Sequence, residues 1–409
     1  MKVGIDATML DGHVGGVQQV VMGLASALSR LSDADEYLFL TYEGGDEWLR
    51  PYVSGPCRIV PSGPAPRQIP NHGVMRFVRP AARRVRDALA LARGPVAVPI
   101  ARSNGTIERE GVDVVHFPKQ VAFLTSVPSI YHPWDLQHVH LPHLFPRYQR
   151  MVRDTMYRRF CEEADRVCVA SEWTKHDLVT HFHLAPEKIA VVPMAAATEA
   201  YVAPTPAVLR EVKAHFQLPE KFFFYPAQTF RHKNHLGLLD AVAMLRDDDL
   251  RVHVVCSGTK NEFYPEIEKR LHVLGLQDQV SFLGFVTSSQ LRALYELAHG
   301  VIFPTLFEGW GLPVIEAFGA GRPVACSRVT SLPDSAGDAA LLFDPHDPRQ
   351  IAEAMRRLWK DEQFCRELVQ RGHERVKLFT WEKTAVMFRD LYRDVARRHA
   401  GMGHEAAPA

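Results

Sequence analysis

The chain reads as an α/β protein of two domains, each built on a parallel sheet. Three observations carry that reading. Its 409 residues exceed what one core of roughly 100–200 residues accommodates. Short β-branched apolar runs alternate with amphipathic helical stretches, the rhythm of βα units. That rhythm restarts near KFFFYPA, after MAAATEAYVAPTP (Met194 to Pro206), a stretch poor in large apolar residues and suited to a linker. The expectation is two Rossmann-like domains of similar size, over residues 1–200 and 201–381.

The elements follow in order. In the first half the strand candidates are KVGID, YLFLTY, CRIVP, VDVVHF, PSIYH, RVCVAS and IAVVP. Helical stretches such as VQQVVMGLASALSRL and PRYQRMVRDTMYRRFCEEA lie between them. The second half offers KFFFYPA, RVHVVCSG, QVSFLGF, GVIFPT, RPVACS and AALLFD, interleaved with helices such as HLGLLDAVAML and PRQIAEAMRRLWK. The tail FTWEKTAVMFRDLYRDVARRHA has the spacing of an amphipathic helix. Open parallel sheets bind ligands outside the carboxyl ends of their strands, so the βα loops are where a site is expected.

Composition excludes several classes. The net charge of +1 gives no global attraction to nucleic acid. No apolar run reaches the roughly 18 residues that span a bilayer. MKVGIDATML enters a strand pattern directly, without the apolar core and cleavage site of a secretory leader. The six cysteines form no CxxC pair, which argues against a zinc ribbon or disulfide framework and favours a reducing cytoplasm. Neither a GxSxG elbow nor a GxxxxGK[ST] loop occurs.

Four stretches carry chemistry. In FPTLFEGWGLPVIEAFGAG, a buried strand runs into a glycine-rich turn, and Pro313 suits the first position of the following helix. The helix start at Gly311–Leu312 leaves backbone N–H groups at the positive end of the dipole, a setting for a diphosphate. Glu308 lies on the turn and Glu316 one turn into the helix, where each could accept hydroxyls; the same pattern also serves as a plain strand–turn–helix junction with both acids in solvent. In FYPAQTFRHKNHLGLLDAV, Arg231 and Lys233 occupy a strand–helix loop where cations can neutralise a diphosphate, or simply be exposed. In GHVGGVQQVVMGLA, Gly15 and Gly16 follow the first strand and open a helix, a weak phosphate signal without a GxGxxG spacing. In YHPWDLQHVHLPHLFP, His132, Asp135, His138, His140 and His143 crowd one loop, as metal ligands, a general base or a polar substrate-facing loop. HEXXH spacing is absent and no cysteine joins them, which disfavours the metal.

Residues 61–106 differ from the rest. Arg67, Arg76, Arg79, Arg83, Arg84, Arg86, Arg93 and Arg102 face one acid, Asp87. VMRFVRPAARRVRDALALAR could form a helix with an apolar and a basic face, interrupted at Pro80, suited to an anionic membrane surface or to packing on its own domain.

Together these stretches resemble the retaining, nucleotide-sugar-dependent glycosyltransferase family 4, of GT-B fold, over about Lys2 to Ala396. The family's E-x7-E motif matches Glu308 to Glu316, and its lysine loop matches FRHKNHLGLLDAV; VSFLGFV, SLPDSAGDAALLFDPHD and SEWTKHDL also look like family segments. The resemblance implies two Rossmann-like domains facing each other across a deep cleft, the last helix (about 382–400) crossing back onto the first. It implies that Glu308 contacts the donor sugar, that the amides of Gly309, Trp310, Gly311 and Leu312 surround sugar and diphosphate, and that Glu316 holds the ribose. Lys233, with Gln228 and Arg231 in the same loop, would meet the diphosphate; Gly258, Gly284, Phe285 and Val286 would receive the nucleotide; Gly15 and Gly16 would lie near the phosphates. Asp135 and His138 are the catalytic candidates of the first domain. Two positions depart from the family pattern: Gln228 stands where an arginine is usual, and Trp134 where a histidine is, so that His132, His138 or neither takes over its role.

The implied reaction is metal-independent sugar transfer from a nucleoside-diphosphate sugar to a glycan or lipid-linked acceptor in cell-surface polysaccharide assembly, in the cytoplasm or at the inner face of the membrane. The PAQ…HKNH loop looks like that of mannose-transferring members. A nucleotide-sugar epimerase on the same fold, and a non-catalytic nucleotide-sugar-binding protein, are the alternatives.

Overall fold

The computed structural model describes residues 1–9, 16–65, 98–196 and 203–405. Gly15, part of the linker and the arginines from Arg67 to Arg93 lie outside them. The chain divides into two compact units. The first comprises Met1–Val169, Lys175–Ala190 and Met387–Ala409; the second comprises Ala170–Thr174 and Val191–Val386. Residues 191–196 therefore group with the second unit.

Unit 1 is a seven-stranded sheet in the order β3-β2-β1-β4-β5-β6-β7. The strands are β1 (Lys2–Asp6), β2 (Glu36–Thr41), β3 (Cys57–Pro61), β4 (Val114–Phe117), β5 (Ser129–Tyr131), β6 (Arg166–Val169) and β7 (Ile189–Val191). β1 pairs in parallel with both β2 and β4. It is buried on both faces, which is why it reads as an unbroken apolar run ending in an acid. The helix Gly16–Leu28 turns Val20, Val21, Leu24 and Leu28 inward, the spacing of a core-facing stripe.

The end of the chain completes this unit. From Met387 on, the helix Trp381–Glu405 packs against the sheet. The Tyr392 hydroxyl lies 2.9 Å from His116 Nδ1 at the centre of β4. Arg393 pairs with Asp35 at 2.8 Å, and Asp394 accepts from Arg166 at 2.8 Å.

Unit 2 is a six-stranded sheet in the order β10-β9-β8-β11-β12-β13. Its strands are β8 (Phe223–Pro226), β9 (Val254–Ser257), β10 (Val280–Phe282), β11 (Gly300–Phe303), β12 (Val324–Ser327) and β13 (Ala340–Phe343). The pairings are parallel throughout. Every strand of both sheets falls on a run expected from the sequence, because β-branched residues fit a pleated, doubly covered surface.

In each sheet the order reverses once, between β1 and β4 and between β8 and β11. At a reversal the connections leave to opposite sides, and the loops beyond the carboxyl ends of the two central strands frame a crevice. The six cysteines are all buried thiols. Among the described residues no helix is long and apolar enough to cross a membrane.

Candidate active site

The reversal in unit 2 brings together the loop after β8 and the loop after β11. The first loop closes in a short 3-10 turn, Arg231–Lys233, and ends at Asn234, which has a left-handed backbone (φ 57°). Asparagine is among the few side-chain-bearing residues that visit this region readily. Asn234 also caps the helix His235–Asp247, its Oδ1 accepting from Gly237 N at 3.3 Å while its Nδ2 donates to Pro345 O at 2.9 Å. The Tyr225 hydroxyl donates to the Lys233 carbonyl. Across the crevice, Thr305 Oγ1 and the Leu306 amide both donate to the His232 carbonyl, at 3.1 and 2.7 Å. So fixed, Lys233 Nζ lies 2.5 Å from Glu308 Oε1, with side chains 18% and 13% exposed.

Glu308 is held on its own side by a clamp. Its N–H donates to Thr330 Oγ1 at 3.1 Å, and its carbonyl accepts from Thr330 Oγ1 at 2.8 Å and Ser331 Oγ at 2.9 Å. Thr330 has φ 46°, uncommon for a β-branched residue. The next carbonyl, of Gly309, accepts from Ser171 Oγ and Thr174 Oγ1, both at 3.2 Å. Gly311 then turns the chain into the helix Leu312–Gly319 with φ 89°. A Cβ there would meet Leu332 Cδ2 at 2.4 Å, so only glycine fits. Among the described residues no side chain caps this helix start, three residues on from Glu308. Pro313 has no N–H and the Val314 N–H donates to Gly311 O at 2.9 Å, so the Leu312 amide and the helix dipole are what it offers an anion.

Glu316, on that helix, is 3% exposed. The Tyr295 hydroxyl donates to its Oε2 at 2.6 Å, while Oε1 is buried without a hydrogen-bond partner among the described residues. Burial pushes the carboxyl up to about 7, against the lowering effect of the Tyr295 hydrogen bond. The sequence alternative of two solvent-facing acids is thereby corrected: both are largely withdrawn from water and each has a dedicated neighbour.

The remaining donor-side candidates divide into shapers and surfaces. Gly258 (φ 133°) lets its loop approach the neighbouring one, since a Cβ would lie 2.5 Å from the Ala227 carbonyl oxygen and 2.7 Å from the Gln228 nitrogen. Its N–H donates to Gly284 O at 2.7 Å, which ties the β9 loop to the one carrying Phe285 and Val286. Phe285 is 66% exposed, an open aromatic face beside Gly284. Arg231 is exposed and lays its guanidinium over Phe263 at 4.4 Å; Lys233, not Arg231, is the cation paired with Glu308. Trp310 does not face a ligand with its ring. It is 4% exposed, donates its indole N–H to Met194 O at 2.9 Å and packs edge-on to Phe379, so only its backbone belongs to the turn.

In unit 1, Gly16 opens its helix, while Gly15 lies outside the described residues. Asp135 is half-buried and its Oδ1 accepts from Gln137 N at 3.0 Å, starting the helix Gln137–His140. His138 has no open face to offer a substrate. It is 1% exposed, edge-on to Tyr157 and 3.7 Å from Asp154, and burial pushes its imidazole down to about 4. His132 is likewise interior, stacked at 4.0 Å on Trp134, which itself carries φ 70° and donates its indole N–H to Pro118 O. Both histidines are turned inward: Trp134 and His116 of β4 stack on His132, and Tyr157 of the helix Arg147–Glu163 packs on His138, a packing no local motif announces.

Sequence reasoning missed several residues. Thr330, Ser331, Thr305, Tyr225 and Tyr295 position the three donor-side groups, Tyr225 from the same strand–loop segment as Lys233 and the others across 21 to 73 residues. At the reversal of sheet 1, Lys119 pairs with the buried Asp6 at 3.0 Å and donates to the Thr8 carbonyl at 2.9 Å. The acid closing KVGID was the available signal, but the lysine that pairs with it and also binds Thr8 lies 111 residues beyond Thr8.

Comparison with known proteins is consistent along the chain. Residues 14–200 match the Glycosyltransferase Family 4 description, and residues 210–375 match Glycosyl transferases group 1. The chain is 26% identical over 255 residues to O-antigen chain mannosyltransferase B of Escherichia coli, covering 62% of this chain and 66% of that protein. It is 28% identical over 278 residues to the E. coli serotype-specific mannosyltransferase WbdA, covering 64% of this chain and 34% of that protein. The match thus spans less than two thirds of those relatives' lengths. D-inositol 3-phosphate glycosyltransferase of Corynebacterium glutamicum is 28% identical over 282 residues, 64% of this chain and 67% of that protein. Among solved structures, HepE of Anabaena in complex with UDP and glucose superposes with a TM-score of 0.68 at 16% identity, over 96% of this chain and 99% of that one. Sucrose-phosphate synthase of Thermosynechococcus elongatus gives 0.68 at 19% identity, over 97% and 99%. With its two parallel Rossmann-like sheets and both family matches, the chain belongs to the group 1, family 4 glycosyltransferases of α/β GT-B fold.

Proposed function

We propose that this protein transfers a sugar from a nucleoside-diphosphate sugar to an acceptor hydroxyl, with retention at the anomeric carbon. The observation that carries the reading is the Lys233–Glu308 pair, 2.5 Å apart at the reversal of sheet 2 and beside an uncapped helix start. A cation and a helix N-terminus converging on one point suit a diphosphate; a carboxylate among them suits the hydroxyls of the sugar it carries.

In this reading Lys233 and the amides from Gly309 to Leu312 stabilise charge building on the diphosphate as its bond to the anomeric carbon breaks. Such preorganised donors cost no reorganisation at the moment of reaction. Glu308 orients the sugar, Glu316 accepts from the ribose through its unpartnered Oε1, and Gly284, Phe285 and Val286 take the base. The acceptor oxygen bonds to the anomeric carbon on the face the diphosphate leaves, and its proton passes to the departing phosphate oxygen. The transfer itself uses no metal in this scheme. The mannosyltransferase relatives support mannose as the sugar and a cell-surface polysaccharide or lipid-linked glycan as acceptor. A cytoplasmic enzyme working at the inner membrane face fits that acceptor. The basic segment that would make the membrane contact lies mostly outside the described residues; its last arginine, Arg102, is exposed.

Thermal-shift measurements with UDP-, GDP-, ADP- and dTDP-sugars, followed by transfer assays with the stabilising donor, test the proposal. A donor that stabilises the wild type but not Lys233→Ala supports it. No shift with any of the four sinks it.

A further inference from the structure

Outside the donor site, unit 1 carries a second constellation, formed by His140, Asp177 and His181. His140 closes the short helix Gln137–His140, and Asp177 and His181 sit four residues apart on one face of the helix Glu172–Phe182. His140 Nε2 lies 2.7 Å from Asp177 Oδ1, and His181 Nε2 lies 3.4 Å from the same oxygen. The two imidazoles stand edge to face, with centroids 5.1 Å apart. All three potential ligand atoms fall within 4.8 Å of one another.

We propose that these residues form a binding site for a divalent transition-metal ion of the zinc class. Zinc–nitrogen and zinc–oxygen bonds are about 2.0–2.2 Å, so tetrahedral ligands stand about 3.3 Å apart. The His181–Asp177 separation of 3.4 Å already has that value, and the His140–Asp177 contact at 2.7 Å needs only to open by a fraction of an ångström. A second observation points the same way. Asp177 is 4% exposed, yet its Oδ2 is buried without a hydrogen-bond partner among the described residues. A buried carboxylate oxygen left unpaired is costly, and a cation shared by the carboxylate and two imidazoles offsets that cost. Two imidazoles with one carboxylate select borderline metals over magnesium or calcium, which prefer all-oxygen shells. His140 and His181 retain 30% and 37% side-chain exposure, which leaves an entry path and a position for water.

The ion would brace the loop after β5, which carries Asp135, against the helix Glu172–Phe182. Its three residues belong to unit 1, whereas Lys233 and Glu308 belong to unit 2.

The test is metal binding itself, on tag-free full-length protein stripped with chelator. Equilibrium dialysis against Zn2+ should return one bound equivalent by elemental analysis, and Co2+ loading should give the visible bands of a nitrogen- and oxygen-ligated site. The exposed pair variant His140→Ala/His181→Ala should keep its circular dichroism and lose affinity by about a hundredfold. The control His176→Ala, an exposed histidine on the same helix, should bind as wild type. Zinc should raise the melting temperature of the wild type and the control, but not of the pair variant. Failure of the wild type to retain zinc, or unchanged affinity in the pair variant, overturns the assignment.

Discussion

The ammonium of Lys233 and the carboxylate of Glu308 meet at 2.5 Å although 75 residues separate them. The pair stands where the strand order of sheet 2 reverses, and its members come from the loops after the two central strands. Each cation or carboxylate is therefore placed by the sheet and not by its local sequence. Lys233→Ala should retain the fold and lose about 10²–10³-fold in turnover, the usual effect of deleting one preorganised donor. Glu308→Gln keeps the volume and should lose turnover comparably. Steady-state kinetics with the stabilising nucleotide sugar, beside circular dichroism, checks both; near-wild-type rates would remove that residue from the chemistry.

Thr330 clamps both backbone groups of Glu308 from a left-handed conformation. Thr330→Val keeps the shape but removes the hydroxyl, and it should destabilise by about 1–3 kcal/mol by leaving buried polar groups unpaired. Thr330→Gly loses the same hydrogen bonds yet relieves the backbone, so its melting temperature should fall less. Both should lower turnover alike. Equal stability loss in the two variants would show that the left-handed backbone stores no strain.

Gly311 has no room for a side chain. Gly311→Ala places a Cβ against Leu332 Cδ2 at a positive φ, at a cost of about 1–3 kcal/mol for the backbone strain alone. Denaturant unfolding should show that loss, and donor affinity should fall with it because the turn to the helix start moves.

Glu316 makes stability depend on pH. Its folded carboxyl lies near 7, above its unfolded value of 4.5, so the folded state holds the proton more tightly. The resulting stabilisation is fully present below about 4.5 and is lost as pH rises through about 7, up to about 3 kcal/mol in all. Glu316→Gln should flatten that part of the stability profile. Donor affinity should move the opposite way in the wild type, rising between pH 6 and 8 as the carboxylate forms to accept ribose hydroxyls. Calorimetry across that range decides it: a flat affinity would separate Glu316 from the ribose.

The architecture was legible because its signals are local and repeated. Thirteen apolar runs specify the thirteen strands of the described residues, and the restart at KFFFYPA marks the second sheet. Lys233, Glu308 and Glu316 stood out as candidates too, since each sits in a loop or helix start whose composition suits an anion or a hydroxyl. The histidine loop misled for the opposite reason. HPWDLQHVH looks polar and open, yet His132 and His138 face inward, because burial depends on which rings arrive from elsewhere, His116 from β4 and Tyr157 from the helix Arg147–Glu163. Trp310 likewise reads as part of a ligand turn but spends its indole on Met194.

The sequence by itself determined the strands, their alternation with helices, and the chemical types standing at the loop tips, because periodicity and turn residues act over a few positions. The tertiary structure decided which of those types meet. The clamp from Thr330, the hydroxyl from Tyr295, the pairing of Asp6 with Lys119 and the gathering of His140 with Asp177 and His181 all join segments distant in the chain. Parallel strand order sets such encounters, and the packing that fixes it is a property of the whole sheet.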